Sequence, residues 1–313
     1  MIGKSSRSEI RKDYIQDKYV IIAPRRADRP AEPGRTCAFC SPLIGREKSL
    51  MTIGGKKDWR IKVVANKFPS VTKDNPKAFG IQEIAVETPD HRAQLEDLPE
   101  EQIIELLDVY AARTAALSKD PKVQYILIFK NNGGRAGASI SHSHSQIFST
   151  DFVPPHLLHK SEKVFEYRLK NGSCVYCDIM TTESRGPRRV FVGEHVVAFA
   201  PFASMHNYEL WILPRRHFDN ITDASAAEKR EWAKVLKKAL AAITALGLPY
   251  NYYFHQVIQD KDQHLYMKIT PRGSTWAGVE IGSGIIINPV PPEDAATYYR
   301  KAMGDMQKRK IRG

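Results

Sequence analysis

Two histidines and a glutamine, His142, His144 and Gln146, alternate with serines between Ser139 and Phe148. In an extended strand this spacing turns all three side chains to one face. The segment follows a glycine-bearing loop, Asn131-Asn-Gly133-Gly134-Arg-Ala-Gly137-Ala138, which in turn follows the apolar run Val123 to Phe129. A buried strand, a loop able to bring backbone N–H groups close to an anion, and a row of imidazoles together suit phosphate chemistry at a histidine. A neutral imidazole can attack an α-phosphorus and form a nucleotidyl intermediate that a second phosphate then takes. His144 is the candidate nucleophile, its other ring nitrogen held as N–H by a backbone carbonyl. The Gln146 amide, the Ser139 hydroxyl and loop N–H groups from Gly133 to Gly137 are candidate donors to the phosphoryl oxygens. Arg26 and Arg29 are candidates to neutralise a diphosphate or sugar phosphate, although an ordinary basic turn explains them equally well. A lone His-x-His is more often a strand with solvent-facing or core histidines, so the rest of the chain decides its meaning.

All four cysteines fall in two CxxC pairs, Cys37/Cys40 and Cys174/Cys177. In a cytosolic chain this spacing argues for metal over structural disulfides, and two such pairs before irregular segments make a poor redox case. A cytoplasmic location is the expectation, because the N-terminus lacks the apolar core of a signal peptide and no apolar run could span a bilayer. At 313 residues, 42% hydrophobic and 26% charged, the chain has room for two globular domains. Its net charge of +12 attracts anions, whether phosphorylated metabolites or nucleic acid. Part of that excess lies between Lys301 and Arg312, where a solvated helix end accounts for it.

The elements that would position these residues occur twice. In the first half, strands are expected at Asp13–Ala23 after a turn, at Trp59–Ala65 and at Gln82–Val86, with a helix at about Pro99–Leu117. That helix has the apolar stripe Ile103, Leu106, Leu107, Tyr110 and Leu117, with Thr114 as a polar interruption. The second half has strands at Val196–Ala200, Glu209–Leu213 and Tyr250–Ile258 and a helix at about Ala226–Leu246. Spacings repeat as well: Glu83 to His91 and Glu209 to His217 are both eight residues. The chain therefore reads as one α+β unit duplicated in tandem, each half a mainly antiparallel sheet with one long helix, joined near Asp151 to Lys170. Boundaries of 1–155 and 156–313 follow.

Duplication also sorts the chemistry. Both halves keep a Cys2His2 set: Cys37, Cys40, His91 and His142, then Cys174, Cys177, His217 and His264. Zinc suits that donor mixture, in two closed structural sites. Only the first half has His144, Gln146, the glycine loop with Asn131, and Asn66. The second puts Tyr266 and Lys268 where His144 and Gln146 stand, and its loop from Gln256 to Gln263 has no glycine. The first half is thus the reacting module and the second mainly scaffold.

His142-Ser-His144-Ser-Gln146, taken with Ile22 to Pro30, Cys37-Ala-Phe-Cys40, Ala65-Asn-Lys-Phe-Pro69, Glu87-Thr-Pro-Asp-His91 and the duplicated second half, resembles the galactose-1-phosphate uridylyltransferase family. This is the transferase branch of the histidine-triad (HIT) superfamily. The resemblance covers most of the chain and implies two tandem HIT-like modules. It further implies that His142 is a metal ligand, that His144 becomes nucleotidylated, and that Gln146 hydrogen-bonds the phosphoryl group. Asn66, Asn131, Gly137 and Ser139, with Arg26 and Arg29, match family positions around the nucleotide and phosphates. Glu280 resembles the glutamate that touches the sugar, often across a homodimer interface. The implied reaction is ping-pong exchange of UMP between UDP-glucose and galactose 1-phosphate. Two departures stand out: Ser143 replaces a proline between the histidines, and Ile285-Ile-Ile287 occupies the place of a glutamine after the sugar-contacting glutamate. Enzymes of similar scaffold use ADP-glucose and phosphate, and nothing in the sequence separates uracil from adenine. A zinc-stapled nucleic-acid-binding protein is the alternative of another class, but the ligand spacings are too long for DNA-reading fingers and the basic-aromatic patterns of RNA binders are missing. Nucleotide sugar and sugar phosphate are the expected partners, with no nucleic acid and no membrane.

Overall fold

A computed structural model describes residues 7–28, 37–55, 58–258 and 260–304. Strands β1 (Glu9–Lys12) and β2 (Tyr19–Ile22) form an antiparallel hairpin. Within the stretch expected as a turn and one strand, only β2 is a strand, and its partner β1 lies upstream. Then follow β3 (Ser49–Gly54), β4 (Trp59–Ala65), β5 (Gly80–Val86), α1 (Glu100–Leu117), β6 (Tyr125–Asn132) and β7 (His144–Thr150). Two helices come next, α2 (Pro155–Asn171) and α3 (Val175–Glu183), so the expected join is largely helical. The second half continues with β8 (Arg189–Val192), β9 (Val196–Phe199), β10 (Leu210–Pro214), α4 (Ala226–Ala245), β11 (Tyr250–His255), β12 (Tyr266–Pro271), α5 (Gly278–Ser283) and α6 (Pro292–Ala302).

Ten strands make one antiparallel sheet in the order β3-β4-β5-β7-β6-β11-β12-β10-β9-β8. Read outward from its centre, each half repeats the same sequence of strands, which is the duplication made visible. The halves meet where β6 pairs with β11, Tyr252 opposite Lys130 and Tyr250 opposite Asn132. A short polar chain reinforces the seam: Tyr110 donates to Ser145 Oγ at 2.7 Å, and its hydroxyl lies 2.8 Å from that of Tyr252.

Both long helices cover one face. The stripe on α1 is buried from Ile103 to Leu117, Thr114 included. On α4, Ser225 accepts the Glu228 N–H while the Glu228 carboxylate accepts the Ser225 N–H, a capping box that sets the start of the helix. Its buried residues Trp232, Leu236 and Ile243 join Leu106, Tyr110 and the inward residues of both half-sheets in one core. Strand alternation sends the neighbouring side chains to the opposite face. There Val64 and Val86 pack with Phe39, and Leu213 and Tyr266 pack with Tyr176 of α3. The CxxC segments therefore lie on the face away from α1 and α4, one over each half.

Candidate active site

Four side chains converge in each half. The ligand atoms of Cys37, Cys40, His91 and His142 all lie within 4.8 Å of one another, and so do those of Cys174, Cys177, His217 and His264. Cys40 Sγ is 3.3 Å from His91 Nδ1 and 3.5 Å from His142 Nδ1; Cys177 Sγ is 3.5 Å from Nδ1 of both His217 and His264. A tetrahedral ion with metal–sulfur and metal–nitrogen bonds of about 2.3 and 2.0 Å has S···N edges of about 3.5 Å, so both groups have the dimensions of a closed four-ligand site. Three of the four histidines are also held from behind. His142 Nε2–H donates to the Thr88 carbonyl at 2.7 Å, His264 Nε2–H to Pro214 at 2.9 Å, and His217 Nε2–H to Lys261 at 2.8 Å. A carbonyl only accepts, so these bonds select the tautomer whose Nδ1 lone pair faces the thiols.

His142 lies just before β7, not in it, and its ring points to the cysteines. His144 begins the strand. Its Nδ1–H donates to the His142 carbonyl at 2.8 Å, so one residue offers its ring to the metal group and its backbone to the next imidazole. That bond leaves the lone pair on His144 Nε2. Burial, followed by the nearby Lys130 ammonium, lowers the His144 pKa from 6.5 to about 4, which keeps the ring neutral and nucleophilic. Phe39 packs against it with ring centroids 5.1 Å apart.

The imidazole opens on a cleft of about 90 Å³ whose lining includes Phe39, Asn66, Phe68, Ser139, His144 and Gln146. Gln146 shares the His144 face of β7. Gln82 Nε2 lies 3.4 Å from Gln146 Oε1, while Ser70 N–H donates to Gln82 Oε1 at 3.0 Å. This chain orients the Gln146 amide so that its NH2 group is the end not taken by Gln82. Asn66 Oδ1 accepts the Phe68 N–H at 2.9 Å, and Arg26 Nη1 donates to the Phe68 carbonyl at 3.2 Å, which ties both to the cleft wall.

Other expected site residues are less direct. Asn131 ends up on β6, where its Oδ1 accepts from Asn251 Nδ2 at 2.7 Å; that same amide donates to Ala136 O at 2.7 Å and closes the glycine loop. Gly133 has φ +84°, and a Cβ there would come within 2.9 Å of Pro249, so glycine is required. Gly137 has φ +84° as well. Asn131, Gly133 and Gly137 shape the loop that delivers Ser139 but are not among the cleft-lining residues. Glu280 is partly exposed near the start of α5, accepting the Ala277 N–H at 2.9 Å, and does not line the cleft either. Arg29 lies outside the described residues. Gln82, Lys130 and Glu87 were not singled out by sequence pattern, since what marks them is their place across the strands from His144 and Gln146.

The second half keeps the metal geometry and puts stacked and paired side chains where His144 and Gln146 stand. Tyr266, in the position of His144, is 2% exposed and stacks on Trp211 at 4.6 Å. Lys160 of α2 hydrogen-bonds its hydroxyl and sits over the Tyr176 and Tyr266 rings. Lys268, in the position of Gln146, pairs with Glu209 at 2.8 Å. Both side chains are packed into the protein.

Residues 61–154 match the model of the galactose-1-phosphate uridyl transferase N-terminal domain. Over 94% of its length the chain is 30% identical to a galactose-1-phosphate uridylyltransferase of Thermotoga maritima, covering 98% of that protein. It belongs to this family. The same identity, over 94% of this chain and 92% of the relative, relates it to an ADP-glucose phosphorylase of Arabidopsis thaliana. Among solved structures, a uridylyltransferase superposes with a TM-score of 0.83 at 28% identity, covering 94% of this chain and 98% of the other. The Arabidopsis ADP-glucose phosphorylase with bound ADP-glucose gives 0.79 at 29% identity, with the same coverage of both chains. Family membership thus establishes a transferase scaffold of two HIT-like modules; base and acceptor are a separate question.

Proposed function

We propose that this chain exchanges a nucleoside monophosphate between a nucleotide sugar and a hexose 1-phosphate through a covalent intermediate on His144, with UDP-glucose and galactose 1-phosphate as substrates. One observation carries the reading. His144 is neutral, its Nδ1–H is engaged by the His142 carbonyl, and it stands beside Gln146 at a cleft. In the first half-reaction Nε2 attacks the α-phosphorus, the bond to the bridging oxygen breaks, and hexose 1-phosphate leaves with the electron pair. In the second, a phosphate oxygen of the acceptor attacks, the P–N bond breaks, and the neutral imidazole returns. Gln146 and Ser139 donate to the phosphoryl oxygens as charge builds on them. Asn66 and Arg26, both tied to Phe68 at the cleft wall, face the nucleotide, and Asn131, Gly133 and Gly137 hold the loop that delivers Ser139.

Zinc in both Cys2His2 groups belongs to the same proposal and supplies only structure, since four protein ligands leave no open position. The modules divide at residues 1–155 and 156–313. A cytoplasmic homodimer completes the reading, with Glu280 serving the partner's sugar site. Exposed apolar side chains beside Glu280, Val279, Ile281, Ile285 and Ile287, support such a contact.

The Arabidopsis relative favours a second reading, adenylyl transfer from ADP-glucose to phosphate. Incubation with radiolabelled UDP-glucose and, separately, ADP-glucose decides between them. The nucleotide sugar that leaves acid-labile label on wild-type protein, and none on His144→Asn with unchanged metal content, identifies the donor. Full exchange activity in His144→Asn refutes the mechanism.

A further inference from the structure

Directly behind His144 lies a buried polar triad. Glu87, Lys130 and Ser143 are each at most 1% exposed. Lys130 Nζ donates to Glu87 Oε2 at 2.6 Å, contacts Ser143 Oγ at 2.9 Å and reaches the His144 carbonyl at 3.2 Å. Ser143 Oγ–H in turn donates to Glu87 Oε2 at 2.5 Å. Taking an ammonium and a carboxylate out of water carries a desolvation penalty that three packed apolar side chains would avoid.

The second half of the molecule contains that apolar alternative. Ile84 pairs with Gln146 and Trp211 with Lys268, so Glu87, three residues on, corresponds to Pro214. Ser143 follows His142 as Leu265 follows His264. Phe129 pairs with Gln146, and Tyr253 with Lys268, so Lys130, one residue on, corresponds to Phe254. Pro214, Phe254 and Leu265 are all buried. The scaffold is therefore satisfied by proline, phenylalanine and leucine at these places, and among the described residues the ionic set stands beside the reactive imidazole and not at its counterpart.

Its bonds fall where the backbone lacks a ladder. β7 pairing begins at His144, so the His142–Ser143 turn is held by other means. Three successive carbonyls are engaged: His142 O by the His144 ring, Ser143 O by the Glu87 N–H at 3.1 Å, and His144 O by Lys130. Glu87 is itself tied to α1, since Gln102 Nε2 donates to its carbonyl at 2.7 Å. The geometry points to Glu87, Lys130 and Ser143 as a positioning triad that holds the His142–His144 turn and thereby aims the His144 ring at phosphorus. This rests on the nucleotidyl-transfer reading of His144.

The test makes these places apolar, as they are in the second module, with the triple variant Glu87→Leu/Lys130→Phe/Ser143→Leu, leucine being used at 87 because the Glu87 N–H is bonded to the Ser143 carbonyl, alongside Ser143→Ala, which keeps the ion pair. Measured are single-turnover labelling of the protein by radiolabelled UDP-glucose and ADP-glucose, steady-state kcat and KM, metal content and thermal melting. Misaiming a nucleophile by about 1 Å costs roughly a hundredfold in rate. The triple variant is expected to fold, keep its metal and its KM, and label about a hundredfold more slowly, with Ser143→Ala intermediate. A triad that only supports the fold would shift melting and leave labelling per folded molecule unchanged, which overturns the proposal. Should the triple variant not fold, Ser143→Ala decides: slowed labelling at unchanged KM supports the triad, and a wild-type rate overturns it. A wild type that takes no label from either nucleotide sugar overturns the transfer reading, and the triad's role with it.

Discussion

The neutrality of His144 can be measured. An ordinary imidazole titrates at about 6.5, so at pH 5.5 only about a tenth of it is the unprotonated nucleophile. Burial and Lys130 lower the His144 pKa to about 4, which leaves nearly all of it neutral at that pH. The rate of protein labelling by radiolabelled nucleotide sugar, followed by rapid quench in a single turnover, should stay on its plateau from pH 8 down to about 5. At pH 5.5 it should exceed the ordinary-imidazole expectation by about tenfold. The same shift acts on stability. Because the unfolded chain takes the proton first, the buried neutral ring favours folding fully above pH 6.5. The advantage erodes as pH falls and is gone near 4, a difference of about 3 kcal/mol from the fall of 6.5 to about 4. Urea unfolding at pH 7 and pH 4.5 should therefore lose less stability in His144→Asn than in wild type. A labelling rate that halves near pH 6.5, with metal content unchanged, would refute the argument that burial sets the protonation state.

Other perturbations probe separate parts of the site. Gln146→Leu should reduce kcat by about a hundredfold while leaving metal content alone, as expected for loss of one preorganised donor. Gln82→Leu, which frees the Gln146 amide to rotate, should fall between that variant and wild type; steady-state kinetics on both decides whether Gln82 orients Gln146. Cys174→Ser should remove one metal equivalent per chain by elemental analysis and lower the melting temperature, yet retain exchange at 25 °C, because the second group lies in the half that has Tyr266 in place of His144. Tyr110→Phe should cost about 1–3 kcal/mol in denaturant unfolding, since it leaves buried Ser145 and Tyr252 hydroxyls short of a partner at the seam between the half-sheets.

Local pattern sufficed where one element carries the information. The apolar stripe of α1, the boundaries of β4 and the duplicated Cys2His2 order were all legible because periodicity and repetition lie within the chain itself. The repeat also distinguishes His144 from His142 within the sequence, since only His142 recurs in the second half, as His264. Tertiary structure decided what depends on neighbours distant in sequence. Helix α2 places Lys160 on Tyr266, and the two halves share one continuous sheet through β6 and β11. Glu87 and Lys130 are 43 residues apart and look like surface charges in the sequence; cross-strand proximity alone makes them a buried pair under His144. A single chain states which side chains are available, whereas the low dielectric that makes one imidazole neutral and one ion pair worth burying exists only after strands from both ends of a module have closed around them.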